Sequence, residues 1–276
     1  MSGQPAALPL RQFRSLKRGL LYIHNRLLGA YLFIVLLLIW EIAPRIGLVS
    51  PVFVPPFSRV IQVGLDLSVL NILLYIAISL KRVFIGFVLA TALALPVGFI
   101  LAGALPWLAR FIRPLPVFLS QIPPFILLPI FVIVIGVGEG GIYTVIFWSS
   151  FWPVLFTTLA GIQAVDPQLI RAARAMNAGR CQIFFRVLLP AAFPTIMAGI
   201  RTGLTMSFFM LIGAESMGAD SGLGWLIHNA QSMGFIPRIY LGAILVAGVG
   251  LALHYFLEML EKNVVDWKEK PEELQA

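Results

Sequence analysis

Between Asp166 and Pro190 the chain reads DPQLIRAARAMNAGRCQIFFRVLLP, and this stretch decides the fold. It holds four arginines between two long apolar runs. It is too polar to cross a lipid bilayer and too patterned for a slack linker. Asp166 is placed to cap a helix, and Pro167 suits the first helical position. Leu169, Ala172, Ala173 and Met176 recur at helical spacing and predict a narrow face of small and apolar residues. Asn177-Ala178-Gly179 ends that helix, because Asn and Gly tolerate the left-handed conformation. A second short helix is predicted with Ile183, Phe184, Val187 and Leu188 on one side, closed by Leu189-Pro190. Two short helices at a membrane surface result, one offering an alanine face that another protein can approach closely.

The flanking sequence is that of an integral membrane protein. The chain has 276 residues, of which 59% are hydrophobic and 12% charged. A soluble domain carries about 25% charge. The first apolar run follows a basic arm without a small-residue cleavage site, so no cleavable leader is expected. The single Cys181 allows no internal disulfide. His24, His228 and His254 are isolated, so no metal site is expected. The formal charge of +8 is a matter of membrane topology rather than of nucleic acid.

Six membrane spans are expected, between a basic arm (residues 1–26) and a charged tail (residues 261–276). The first runs near Leu27 to Ala43; its uncharged core of 14 residues is short unless Glu41 lies at an interface. Val60 to Leu70 reads as a surface helix. The second span is expected near Val83 to Leu105, entered by a helix from about Leu73; a separate segment before Lys81-Arg82 is the alternative. The third lies within Pro114 to Gly138, where Pro123, Pro124 and Pro129 must kink or break it. Glu139-Gly140-Gly141 reads as a tight turn. The fourth lies within Gly140 to Val165, the fifth near Ala192 to Gly213 with Arg201 inside it, and the sixth near Ile239 to Leu257. Residues 214–238 are glycine-rich and read as a re-entrant or outer segment.

The positive-inside rule sets the orientation. With both ends in the cytoplasm, the inner segments carry 14 Lys and Arg, and the outer segments, with Arg45, Arg59, Lys81, Arg82 and Arg238, carry 5. The Asp166–Pro190 loop then lies in the cytoplasm.

That loop resembles the EAA loop of ABC importer permeases, the segment that docks into a groove of the ATPase subunit. The family pattern falls on Arg171-Ala172-Ala173, Asn177, Val187 and Leu189-Pro190 with its spacing intact. Arg171 stands where the family has Glu, and Asn177 where it has Gly. Val54-Pro55-Pro56, SLKRVFIGF at Ser79 to Phe87, Gln121-Ile122-Pro123-Pro124 and AESMGADSGLGWLI at Ala214 to Ile227 resemble the branch that imports nitrate, bicarbonate, taurine and alkanesulfonates. The resemblance spans roughly residues 30 to 260. It implies an all-α, MetI-like type I importer permease in a bacterial inner membrane, with a permease domain over residues 27–260. It also implies ATP-binding subunits that carry ATP and Mg, and an extracytoplasmic substrate-binding protein; a second permease copy is expected because six helices are too few to enclose a large pathway.

The chain shows no GxxxxGK[ST] phosphate loop, so any ATP is bound by another subunit. No nucleophile-base-orienter set is visible, and no catalytic role is expected. Asp166, Leu169, Arg171, Ala172, Ala173, Met176, Asn177, Gly179, Leu189 and Pro190 are the candidate coupling residues; a connector resting on headgroups is the plainer alternative. Pro123, Pro124, Arg201, Glu215, Gly222 and Gly224 are the candidate pathway or gate residues. Arg201 either draws an anion or pairs structurally, since a mid-span charge is costly alone. Glu215 either lines an outer gate beside a flexible Gly218, Gly222 and Gly224 hinge, or caps a re-entrant helix with those glycines there for close backbone packing. Lys81 and Arg82, at the outer mouth, either steer anions or contact a delivery protein, or serve as interfacial anchors, the favoured reading. A second class of function, a secondary transporter or channel without an ATPase, would use Arg201 and Glu215 for ion coupling; no inverted repeat supports it.

Overall fold

The computed structural model describes residues 31–104, 107, 111, 112, 114–136 and 138–264. The basic arm, Arg110, Arg113 and tail residues 265–276 lie outside the described residues. The chain packs as two units, Met1–Gly64 and Leu65–Ala276.

In the first unit, helix α1 (residues 31–45) leads through a proline turn into α2 (Phe57–Asp66). Trp40 Nε1 donates to the Pro55 carbonyl at 3.0 Å, and the Ser58 N–H donates to Glu41 at 2.9 Å. Arg45 forms an ion pair with Glu41. Glu41 is thereby partnered within its own unit, and the helix runs past it instead of ending there.

The second unit contains the rest: α3 (Val69–Phe99, extended by a π turn over Ile100–Ala104), α4 (Pro114–Ser120), α5 (Pro124–Ile135) and α6 (Glu139–Gln163). Then come α7 (Pro167–Ala175), α8 (Arg180–Ile183), a second π turn (Phe184–Leu188), α9 (Leu189–Gly218), α10 (Leu223–Ser232) and α11 (Ile236–Val264). Among the described residues four stretches are long and apolar enough to cross a membrane: Val69–Gly103, Glu139–Gln163, Arg180–Gly218 and Ile236–Met259. The bent pair α4–α5 makes a fifth if it counts as one span.

The core is centred on α6, with α3 and α9 packed along it. Val83, Leu128, Ile146, Leu204, Phe208 and Leu211 form the largest buried cluster. At the other end of α6, Ile162, Val165, Ala192 and Ile196 form a second. In lipid, helices gain little from apolar burial and associate through close packing instead. Gly86 shows how close: a Cβ there would lie 2.6 Å from Ile146 Cγ2. Gly203 does the same against Val154 and the Ser150 carbonyl.

Several expectations change in detail. Lys81-Arg82 does not interrupt the second span: α3 runs unbroken through both, which removes the alternative of a separate segment. The third span breaks at Gln121–Pro123 with a 91° bend, whereas Pro129 sits inside α5 without ending it. Pro124 opens α5 at a first-turn position, where a missing N–H costs nothing. The tight turn lies at Gly136 and Gly138 (φ +103° and +128°), and Glu139-Gly140-Gly141 is already helix. Leu189-Pro190 opens α9 instead of closing a second loop helix; the π turn feeds α8 directly into it. Residues 214–238 are mostly helix, because α9 continues to Gly218 and α10 follows. α11 runs through Val264, so the first four residues of the expected tail, 261–264, are helical.

Candidate functional site: a capped loop and a buried charge cluster

The loop is built from local signals. The Asp166 carboxylate accepts the Gln168 N–H at 2.8 Å, capping α7, and Pro167 occupies the first turn. At the other end Asn177 adopts φ +61°. The Asn177 N–H donates to the Arg174 carbonyl at 2.9 Å and the Ala178 N–H to the Ala173 carbonyl at 3.1 Å, the paired bonds of a Schellman ending. Gly179 is ordinary extended backbone; its N–H donates to Gln182 Oε1 at 3.0 Å and so starts α8.

The alanine face divides in two. Ala173 is buried, so it faces the body of the protein and not a partner. Leu169, Ala172 and Met176 are exposed, with Met176 at 78%, and Arg171 and Arg174 are exposed beside them. Leu189 packs onto the cluster of Ile162, Val165, Ala192 and Ile196, which seats the loop at the ends of α6 and α9. Pro190 is exposed in the first turn of α9.

The second locus joins residues far apart in sequence. Glu215, in α9, is fully buried. Its carboxylate accepts from Ser79 Oγ at 2.8 Å, from Arg82 Nη1 at 2.7 Å and from the Gly224 N–H at 2.8 Å. Ser79 Oγ also accepts the Leu223 N–H at 2.9 Å. Ser79 and Glu215 therefore satisfy two first-turn N–H groups of α10, where the helix end favours a negative charge. Arg82 extends further: Nη1 donates to the Ser221 carbonyl at 2.6 Å, and Nε and Nη2 grip Glu139, the first residue of α6. One guanidinium thus ties α3 to α6, α9 and the segment entering α10.

The glycines of this block are spacers. A Cβ on Gly222 would sit 2.5 Å from the Glu215 carboxyl carbon, and the backbone there has φ +117°. A Cβ on Gly224 would run into the Ile212 carbonyl of α9 and lie 2.8 Å from Glu215 Cβ. Both are absent so that α10 can seat its N-terminus on the carboxylate.

Glu215, Gly222 and Gly224 are thus brought together, and Glu215 holds the capping geometry. Pro123 and Pro124 mark the α4–α5 break. Arg201 is not part of the cluster: it pairs with Glu261 of α11 at 3.0 Å. Arg82 is 4% exposed at its side chain, so the interfacial-anchor reading fails for it, although Lys81 next to it is exposed. Ser79 and Glu139 were given no site role by the sequence reading, and Arg82 was singled out without its partners. The available signal was that Ser79 and Arg82 share a helix face three residues apart. A buried cation there also needed the carboxylates of the later spans.

The family model for the binding-protein-dependent transport system inner membrane component matches residues 94–266, from the last turns of α3 to just past α11. The chain belongs to this family. It is the membrane-spanning permease subunit of an ATP-driven ABC importer. The taurine transport system permease protein TauC of Escherichia coli is 30% identical over 84% of this chain and 86% of its own length. The nitrate import permease protein NrtB of Synechocystis is 33% identical over 70% of each chain. In fold, the permease is similar to a chain of the MetNI methionine ABC transporter in an inward facing conformation, with a TM-score of 0.59 at 21% identity, over 67% of this chain and 92% of that one.

Proposed function

We propose that the permease receives ATP-driven movement at α7 and passes a small oxyanion or sulfonate through a pathway shared with a second permease copy. One observation carries the coupling half: α7 is capped at both ends, anchored through Ala173, and turns Leu169, Ala172 and Met176 outward as an apolar stripe. A helix held this way transmits force as a rigid piece. Its arginines leave the stripe itself uncharged. The partner is a separate ATP-binding subunit, which holds ATP and Mg; binding there tilts α7, and α6 and α9 carry the motion across the bilayer.

Three further parts follow the same reading. Both termini lie in the cytoplasm; with Arg82 withdrawn into ion pairs, the outer Lys and Arg total falls from 5 to 4 against 14 inside. The second permease copy covers the bent α4–α5 pair, where Phe118, Ile133 and Val134 are exposed. A substrate-binding protein delivers the solute from outside. The solute class rests on the relatives' names, taurine and nitrate.

The test is co-purification of the tagged permease from mild detergent. An ATP-binding subunit is expected with the native chain and lost with Ala172→Glu, at unchanged yield and melting temperature. Retention of the subunit by both Ala172→Glu and Met176→Asp would sink the docking assignment. The ligand held by the co-purifying binding protein, identified by mass spectrometry, tests the solute class.

A further inference from the structure

The two carboxylates on Arg82 are unequal. Glu215 is sealed, with 0% side-chain exposure, and is bonded to three different groups. Glu139 has 52% of its side chain exposed. It meets the outward edge of the guanidinium, where Nε and Nη2 present two parallel N–H groups. That fork fits any group with two oxygens in one plane: a carboxylate, nitrate, or two oxygens of a sulfonate.

We propose that the Nε/Nη2 edge of Arg82 is a subsite for a small oxyanion, and that Glu139 is the displaceable carboxylate occupying it in this structure. The proposal rests on the oxyanion reading above and gives that solute a place in the permease. When Glu139 swings away, Arg82 stays aimed, because Nη1 remains on Glu215 and the Ser221 carbonyl. The fork is preorganised, so little ordering is needed for an incoming anion. Exchange of one monoanion for another leaves the cluster's net charge unchanged, so no charge is stranded in the buried site. Glu139 begins α6 behind Gly138, which supplies no side-chain cap, so the positive end of the helix faces the same spot. Open space surrounds the Gly136 and Gly138 backbone on the Cβ side, which leaves the turn before Glu139 free to adjust. The close α3–α6 contact at Gly86 keeps the helices together meanwhile, so only a side chain has to move.

The experiment uses the detergent-purified transporter with its ATPase subunits and without binding protein. The melting temperature is followed against nitrate and against methanesulfonate, in a gluconate buffer of constant ionic strength. A ligand that binds the folded state raises the melting temperature with concentration. Glu139→Ala removes the competitor, so its anion-dependent rise is expected at a concentration at least tenfold lower than in the native complex. Glu139→Ala with Arg82→Lys keeps the charge but loses the fork, and the rise is expected to vanish. Should that variant fail to fold, Glu139→Ala with Lys81→Ala decides the matter, because Lys81 is exposed outside the fork. An unchanged rise supports Arg82; a lost rise assigns the anion to Lys81 and overturns the proposal. So does a midpoint that is the same in Glu139→Ala and the native complex. These results are separable from the solute reading. A binding protein that holds an oxyanion beside an anion-insensitive permease refutes the subsite alone. A binding protein that holds a neutral solute refutes the solute reading, while the melting series still decides the subsite.

Discussion

The α7 loop and the Arg82 cluster are both polar devices in an apolar protein, but they are made in opposite ways. Each bond that shapes the loop joins residues two to five apart, such as Gln168 to Asp166 and Ala178 to Ala173. The bonds that Ser79 and Arg82 make to Glu139 and Glu215 span 57 to 136 residues. A loop made from neighbours can form before the bundle and keep its shape while it moves. A cluster made from four distant segments exists only when the bundle is assembled. Local capping suits a part that is displaced; long-range pairing suits a part that holds helices in register.

Substitutions at the two sites should differ accordingly. Glu215→Ala strands a buried guanidinium and uncaps α10, and should cost about 3–5 kcal/mol, the range for removing one partner of a buried pair. Thermal unfolding of the purified complex, or simply its yield, would reveal this; a melting temperature within a degree of native would refute the fixed role of Glu215. Gly224→Val pushes α10 off the same carboxylate and should cost about 1–3 kcal/mol, as overpacking does. The same melt should show it, and a neutral result would mean α10 can shift freely. Asp166→Ala removes only a cap, about 1 kcal/mol. It should barely move the melt yet lower the uptake per ATP hydrolysed in proteoliposomes, which sets the loop apart from the cluster. Arg201→Gln breaks a partly exposed pair and should change the melt by less than about 1 kcal/mol. A larger drop would make Arg201 a second fixed point like Arg82.

The sequence was most legible where physics is local. Asp166, Pro167 and Asn177 each carry a conformational preference strong enough to be seen in isolation, and each adopts it. Among the described residues, apolar run length revealed four spans and the bent third, but not their ends. Leu189-Pro190 looked like a stop, whereas proline in a first turn is equally a start. Lys81-Arg82 looked like an interface because a charge pair usually marks one; only the folded chain brings Glu139 and Glu215 to Arg82. Ala173 shared the spacing of Leu169 and Ala172, but spacing alone does not say which edge of a helical face the body covers. The glycines of the Glu215 block read equally as a hinge and as spacers for close backbone packing, and only the folded chain, which sets Gly222 against the carboxylate, decides between them.

The length of α3 has a consequence for the surrounding lipid. The apolar stretch Val69–Gly103 has 35 residues, about 52 Å at 1.5 Å per residue. Even at a tilt of about 40°, the steepest usual for membrane helices, a hydrocarbon layer of roughly 30 Å covers only about 39 Å of it. Some 13 Å of α3, roughly two and a half turns, therefore projects beyond the acyl chains. α6 has 25 residues and about 37 Å, and so has little to spare. Thickening of the bilayer is absorbed along α3 by drawing that overhang inward, while α6 feels it as hydrophobic mismatch. The shorter helix, and not the longer one, sets the membrane thickness in which this permease sits without strain.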